Sequence, residues 1–383
     1  MSATQRAEYA EKGVNMKKSI CMLLPEILCL YLLGGCAQND LPSADSQAPD
    51  EVVSESPEAA ATIESSITQE ETPEPSETEE VDVNWFENAE LEYNRDDSTV
   101  VYFTKDISSE GLMAVYQALE AEPTGRIAVK ISTGEPPNSN YLDPELIKDL
   151  VQSLDGTIVE CNTAYGGRRD STEYHLQVAE DHGFMDIADV DIMDSEDEIS
   201  LPVIGGEILQ ENFVGSHFTD YDYYVVLSHF KGHQMAGYGG AIKNISIGIA
   251  SSSGKVWIHS GGTRRDGGIN ADRTSFLMSM AEAGKSVSDS LNGNLLYINV
   301  MNNLSIDCDC NGNPKEPDIH DIGILASFDP VALDQACLDF VYAYPGKSLL
   351  PTRIDSLNGI LTVEHAAAIG LGDREYTLVN IDD

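Results

Sequence analysis

Strand-like and helix-like stretches alternate from Ser98 to His182, and this order restricts the fold more than any other feature. Ser98–Thr104 (STVVYFT), Arg126–Ser132 (RIAVKIS) and Thr157–Cys161 are short apolar, β-branched runs. Between them, Ser108–Glu122 and Asp143–Leu154 repeat apolar residues at helical spacing, and Ser171–His182 follows as a third helix. Ser108 is placed to cap the first helix, and Asp143 with Pro144 to open the second. Strand, helix, strand, helix, strand is the pattern of a parallel sheet joined by crossover helices. The expected fold class is α/β: a single mixed, mainly parallel sheet with crossover helices on both faces.

Later segments fit the same plan. Ile187–Met193 reads as apolar chain, and Ile199–Ile204 and Glu207–Phe213 as a hairpin joined at Gly205-Gly206. Further strands are expected at Tyr223–Leu227, Leu295–Val300, Asp321–Ala326 and Tyr376–Ile381. Helices are expected at Asn270–Gly284, at Pro330–Tyr344 with Asp329 as N-cap, and at Thr362–Ile369. Ser251–Gly268 and Asp307–Pro317 read as polar loops. No repeat or linker interrupts the chain after Arg95, which predicts one domain over residues 91–383.

The N-terminus has a different composition. Met16-Lys17-Lys18, an apolar stretch from Ile20 to Leu33, and Leu33-Gly34-Gly35-Cys36 resemble a bacterial lipoprotein signal over residues 16–36, with Cys36 taking the lipid. Residues 1–15 are expected to precede the true start, because Glu11-Lys12-Gly13-Val14 is compatible with a purine-rich ribosome-binding sequence ahead of Met16. Residues 37–90 are mostly Ser, Thr, Pro, Ala, Glu and Asp, a composition expected to form a disordered acidic stalk. The expected location is extracytoplasmic, anchored to the bacterial cell membrane through the lipid. A net charge of −43 argues against nucleic acid as a partner, since phosphates need clustered Lys and Arg. Oligomeric state is not legible in the sequence.

The stretch Ser228–Asn244 (SHFKGHQMAGYGGAIKN) concentrates the residues with chemistry. It follows the apolar run Tyr223–Leu227, so it is expected as a loop at a sheet edge, where binding sites gather. His229 and His233, with Cys308 and Cys310 of the Asp307–Cys310 run (DCDC), form one candidate metal site, zinc or iron. The competing reading gives the histidines to the backbone and the thiols to an ordinary loop. Two cysteines separated by one residue are awkward for a mutual disulfide, while a Cys161–Cys337 bridge is open. Gly237–Gly240 with Lys243 and Asn244 is either an anion cradle or a tight packing turn. His259, Glu135 and Lys231 are candidate proton carriers, and Arg169 with Lys243 could grip an anionic substrate. Asp334 is read as a surface carboxylate, and His175 as a surface residue early in its helix.

Together these residues suggest a family. SHFKGHQMAGYGGAIKN, Gly254-Lys255 and His259 resemble the bacterial and archaeal family called domain of unknown function 362. Ile127–Asn138 (IAVKISTGEPPN), Asn162–His175 (NTAYGGRRDSTEYH) and Asp307–Asp334 are similar to three further family segments, in matching order over roughly Val100–Asp383. The resemblance implies that Lys130, Glu135, Tyr165, Arg169, His175, His229, Lys231, His233, Lys243, Asn244, His259, Asp307, Cys308, Asp309 and Cys310 converge on one site. Relatives often carry a ferredoxin-like insert rich in cysteine. This chain has no cysteine between His259 and Leu295, so no ferredoxin-type iron–sulfur cluster is expected. Lys130, Tyr165, Arg169, His175, Lys243 and Asn244 become the expected substrate-binding set. The expected function is a surface lipoprotein with a metal site, a metal-dependent or redox enzyme for a small anion. The alternative is a solute-binding lipoprotein without chemistry.

Overall fold

The computed structural model describes residues 99–269 and 272–382. The expected segments 1–15, 16–36 and 37–90, with the Cys36 lipid site, lie outside the described residues. In chain order the elements are β1 (Val100–Thr104), α1 (Ser109–Ala118), β2 (Ile127–Lys130), α2 (Pro144–Ser153), β3 (Thr157–Glu160), α3 (Thr172–Asp181) and β4 (Val190–Ile192). Next come β5 (Glu198–Pro202), β6 (Glu211–Gly215), β7 (Tyr223–His229), β8 (Lys231–His233), β9 (Gly237–Gly239), α4 (Ala241–Ser246) and α5 (Ser252–His259). The chain ends with α6 (Arg273–Leu291), β10 (Leu295–Met301), β11 (Gly323–Ser327), α7 (Pro330–Ala343), α8 (Leu350–Ser356), α9 (Leu361–Ala368) and β12 (Thr377–Asn380).

Eight strands form one sheet in the order β12-β1-β11-β10-β7-β2-β3-β4. The block β10-β7-β2-β3-β4 is parallel throughout, β11 runs antiparallel to both neighbours, and β12 is parallel to β1. The fold is therefore α/β, with a mixed, mainly parallel sheet. Alternate residues of the central strands feed two cores, one on each face. Val225 and Leu227 of β7 meet Leu112 and Val115 of α1 and Ile147 and Val151 of α2. Tyr224 and Val226 point the other way, toward Ile242 of α4, Ala281 of α6 and Ala336 of α7. No helix among the described residues is long and apolar enough to cross a membrane.

After β2 the chain proceeds outward to β3 and β4, then returns to β7 on the other side of β2. This reversal opens a crevice beyond the carboxyl ends of β2 and β7, the place where such sheets bind ligands.

Some sequence expectations shift. The helix predicted at Asn270–Gly284 runs instead over Arg273–Leu291. Gly284 does not stop it. A Cβ there would lie 3.3 Å from Ile245 Cδ1, so the glycine lets α6 press closely on α4. The polar run Ser251–Gly268 contains α5, capped by the Ser251 side chain on Gly254 N–H. The hairpin pairs Glu198–Pro202 with Glu211–Gly215, so its connection is longer than Gly205-Gly206. Cys161 and Cys337 are both free and buried, so they form no bridge.

Candidate functional site

Loops from the carboxyl edge of β2, β3, β7 and β10, with α4 and α5, enclose a cavity of about 480 Å³. Its lining includes Lys130, Glu135, Tyr165, Arg169, His229, Lys231, His233, Lys243, Asn244, His259, Cys308, Asp309 and Cys310. The residues expected to converge do so, with two exceptions. His175 is fully buried behind the wall, its Nε2 3.2 Å from Thr133 Oγ1, so it is neither a surface residue nor a direct substrate contact. Asp307 faces Arg353 and the Lys315 N–H rather than the cavity.

The floor is a buried charge network centred on Glu160. One oxygen of Glu160 accepts from Lys130 Nζ at 2.9 Å; the other accepts from Thr133 N–H at 2.8 Å and Arg169 Nη1 at 3.4 Å. Burial works to raise the Glu160 pKa, but Lys130, His175 and Arg169 together hold it well below the usual carboxylate range. Arg169 also reaches Glu135 at 3.3 Å and donates to the Tyr165 hydroxyl at 3.1 Å. Asn244 braces the crevice, donating to the carbonyls of Lys130 and Leu227 at 3.2 Å each and accepting from Lys130 Nζ. Lys130 and Asn244 thus position the wall more than they offer free donors.

Glu160, Lys255 and Cys161 line the cavity although none was among the expected site residues: Lys255 stood out only as part of a family segment, Cys161 only as a disulfide candidate, and Glu160 not at all. A signal existed for Glu160. β2 (IAVK) and β3 (TIVE) are apolar strands that each end in a charge, and Lys130 and Glu160 pair there. Lys255 was obscured because α5 is too rich in serine and glycine to read as a helix.

A second cluster forms where β8 meets the loop after β10. A Cβ on Gly232 would lie 2.3 Å from Ile306 O, so only glycine lets the two backbones approach this closely. Gly232 N–H donates to Ser305 O at 2.8 Å. That approach brings Asp309 between His229 and Lys231, at 3.0 Å and 2.6 Å. Burial would raise the Asp309 pKa, yet His229 and Lys231 hold it far below the usual range.

This arrangement corrects the expected metal set. His229 has Nδ1 on Asp309 and Nε2 2.6 Å from Asn302 O, so neither ring nitrogen is available to an ion. His233, Cys308 and Cys310 remain, with ligand atoms within 4.8 Å of one another, and form a group able to hold a metal ion. Cys308 and Cys310 are joined as a disulfide, contrary to the expectation from their spacing; their Cα atoms are 5.3 Å apart. The loop places the pair at a separation ordinary for disulfides. His233 Nδ1 accepts from Ala236 N–H at 3.0 Å, which puts the proton of the neutral ring on Nε2. Burial and the nearby Lys243 push its pKa well down. A metal therefore finds thiolates only after reduction, and the His233 nitrogen only against that proton.

His259 keeps the role of an acceptor. Nδ1 donates to Lys255 O at 2.7 Å, the ring stacks on Phe276 at 4.7 Å, and burial lowers its pKa to about 4. The neutral ring is left with an unprotonated Nε2.

The glycine run before α4 is settled differently. Asp334 is fully buried, not at the surface, and its carboxylate accepts from Ala241 N–H at 2.7 Å and Ile242 N–H at 3.1 Å. The amides at that helix start are already occupied, so the run is not an anion cradle. Gly240 is required because a Cβ would lie 2.3 Å from Asp334 Oδ1. Asp334→Ala would orphan both amides and leave the Asn299 side chain with only the Cys337 sulfur as acceptor. It is expected to cost about 3 kcal/mol, read as a lower denaturant midpoint at unchanged m-value.

Lys243 is what distinguishes the cavity. Lys130, Arg169 and Lys231 each pair with a carboxylate, and Lys255 donates to Cys161 O at 3.4 Å. Lys243 Nζ has no hydrogen-bond or ion-pair partner among the described residues. Burial, and then Lys231, lower its pKa to about 7. The lining holds five basic side chains (Lys130, Arg169, Lys231, Lys243, Lys255) against three carboxylates (Glu135, Glu160, Asp309), in a chain of net charge −43.

Comparison with known proteins adds the family. No curated protein matches the chain. Among solved structures, the lactate racemase apoprotein from Thermoanaerobacterium thermosaccharolyticum aligns at 17% identity and TM-score 0.39, covering 63% of this chain and 57% of that one. A protein from Thermotoga maritima aligns at 12% identity and TM-score 0.36, covering 68% and 58%. The chain thus spans under two thirds of either structure. The family model described as Domain of unknown function (DUF362) matches residues 127–339, which takes in β2 through most of α7 and the cavity-lining segments, and the chain belongs to that family.

Proposed function

We propose that this protein is a lipid-anchored, extracytoplasmic enzyme that binds a small carboxylate- or phosphate-bearing substrate beside a metal site. The observation that carries the reading is the cavity's positive surplus, ending in the unpartnered Lys243, next to the His233, Cys308 and Cys310 group. Two thiolates and one imidazole suit zinc best, and iron next. Three protein ligands leave a further coordination position, as in catalytic rather than structural zinc sites. When bound, such an ion supplies Lewis acidity. Lys243 would hold the substrate anion, Arg169 would assist through the fork it shares with Glu135, and the Nε2 of His259 would accept a proton. The lipid anchor at Cys36 would keep the cavity outside the membrane.

The pH dependence follows from Lys243. It carries its charge below about 7 and loses it above. Succinate, used as a plain dianion in calorimetry, is expected to bind best below pH 7 and to weaken as pH rises toward 8.5. Lys243→Met is expected to cost about 2 kcal/mol of that affinity, or roughly thirty-fold, and to flatten the pH profile. Pure solute capture is the second reading, favoured by the disulfide that occupies both sulfurs. It predicts succinate binding with no metal in either redox state.

A further inference from the structure

The Cys308–Cys310 disulfide lies in the cavity wall rather than in the core or at the outer surface. Its two residues differ in exposure: Cys308 is 2% exposed, whereas Cys310 is only partly buried. A ring nitrogen of His233 lies within 4.8 Å of both. Lys243 and the Lys231–Asp309 pair share the same cavity. The remaining described cysteines are poor reactants. Both are buried, and burial pushes the Cys161 thiol up to about 12. Structural disulfides in small proteins staple distant segments. This one has a sequence separation of 2, closes the shortest of loops and joins no distant segments.

We infer that Cys308–Cys310 is a thiol–disulfide exchange site for a small thiol that carries a carboxylate, and that its reduction creates the metal-competent form. The inference rests on the anion pocket proposed above. The carboxylate would sit at Lys243 while the thiolate attacks Cys310, the less buried of the two cysteines. The Sγ–Sγ bond breaks, a mixed disulfide forms on Cys310, and Cys308 leaves as a thiolate. The proton released by the incoming thiol passes to Cys308 through solvent. A second thiol attacks the mixed disulfide, releasing Cys310. The balance is two thiols and one protein disulfide giving one small disulfide and the protein dithiol. Exchange rate depends on the attacking thiolate and on access, and here access is charge-selective.

The test uses the full chain in its oxidised form. Disulfide reduction is followed by mass spectrometry with thioglycolate (anionic), 2-mercaptoethanol (neutral) and cysteamine (cationic), with rates expressed per thiolate. Thioglycolate is expected to react at least ten-fold faster than 2-mercaptoethanol, with cysteamine slowest. The preference should shrink several-fold in Lys243→Gln and, in the unmodified protein, fall with added salt. Cys308→Ser, which leaves Cys310 as a lone thiol, should instead take one thioglycolate from dithiodiglycolate, releasing the other as thiol, and hold it as a mixed disulfide on Cys310. Rates that follow intrinsic thiolate reactivity without charge preference overturn the proposal, as does a chain that keeps both cysteines as thiols under air. Thermal shift with succinate separates the two failures. If succinate stabilises the protein while thioglycolate shows no preference, exchange fails and the anion pocket stands; if succinate has no effect, the pocket reading itself fails.

Discussion

Glu160→Ala is expected to lower the unfolding free energy by about 3–5 kcal/mol, because it removes the shared partner of two buried cations. Lys130 would be left at the end of β2 with only carbonyl and amide oxygens, and Arg169 with Glu135 as its one carboxylate among the described residues. For a domain of this size the melting temperature should fall by roughly 6 °C or more. The pH dependence has a definite sign. The folded-state pKa of Glu160 lies well below the unfolded one. Its contribution is therefore present above the ordinary carboxylate range and is lost as pH falls through the lowered folded value. The unmodified protein should lose stability on acidification below about pH 4, and part of that slope should vanish in the variant. Denaturant titrations at pH 7 and pH 3.5 check both statements. A variant that melts like the parent at pH 7 would show that the network is not what holds β2 and β3 together at the crevice.

The second large effect concerns metal. Protein reduced and repurified without a His-tag is expected to bind about one zinc per chain, and the oxidised protein none, since a disulfide offers no thiolate. Loading should improve as pH rises from 6 to 8, because the two thiols release their protons when the ion binds. Cys308→Ser and His233→Ala should each lower zinc affinity by at least a hundred-fold. His229→Ala should instead lower thermal stability, because it leaves Asp309 with Lys231 alone. Elemental analysis with a competing chelator separates the cases. No stoichiometric zinc in the reduced protein, or a Cys308→Ser variant with undiminished content, would remove the metal reading.

The regular elements were largely legible in the chain. Alternating apolar patterns gave β1 to α3 because buried parallel strands and amphipathic crossover helices impose periods that side chains must follow. The caps at Ser108, Asp143 and Asp329 could be read because backbone N–H groups at helix starts need an acceptor nearby in sequence. Helix α5 was not legible, since its serines and glycines mask a short segment held by packing and by one serine cap. The β8–β9 hairpin was missed for a similar reason: three-residue strands carry too little pattern to register.

Membership of the site was likewise written locally. Polar residues crowded after an apolar strand placed Ser228–Asn244 at a sheet edge, and the resemblance to the family implied that Lys130, Arg169, His233, Lys243 and Cys310 would meet there. Their roles were decided by tertiary contacts. His229 lost its candidacy as a ligand to Asp309 and a carbonyl from a loop some 73 residues away. The glycine run before α4 lost its anion to Asp334, 93 residues on. Lys243 became the open cation because the carboxylates around it pair with other bases. Partner choice among buried charges depends on distances of a few ångströms between segments remote in sequence, and only the folded chain sets those distances.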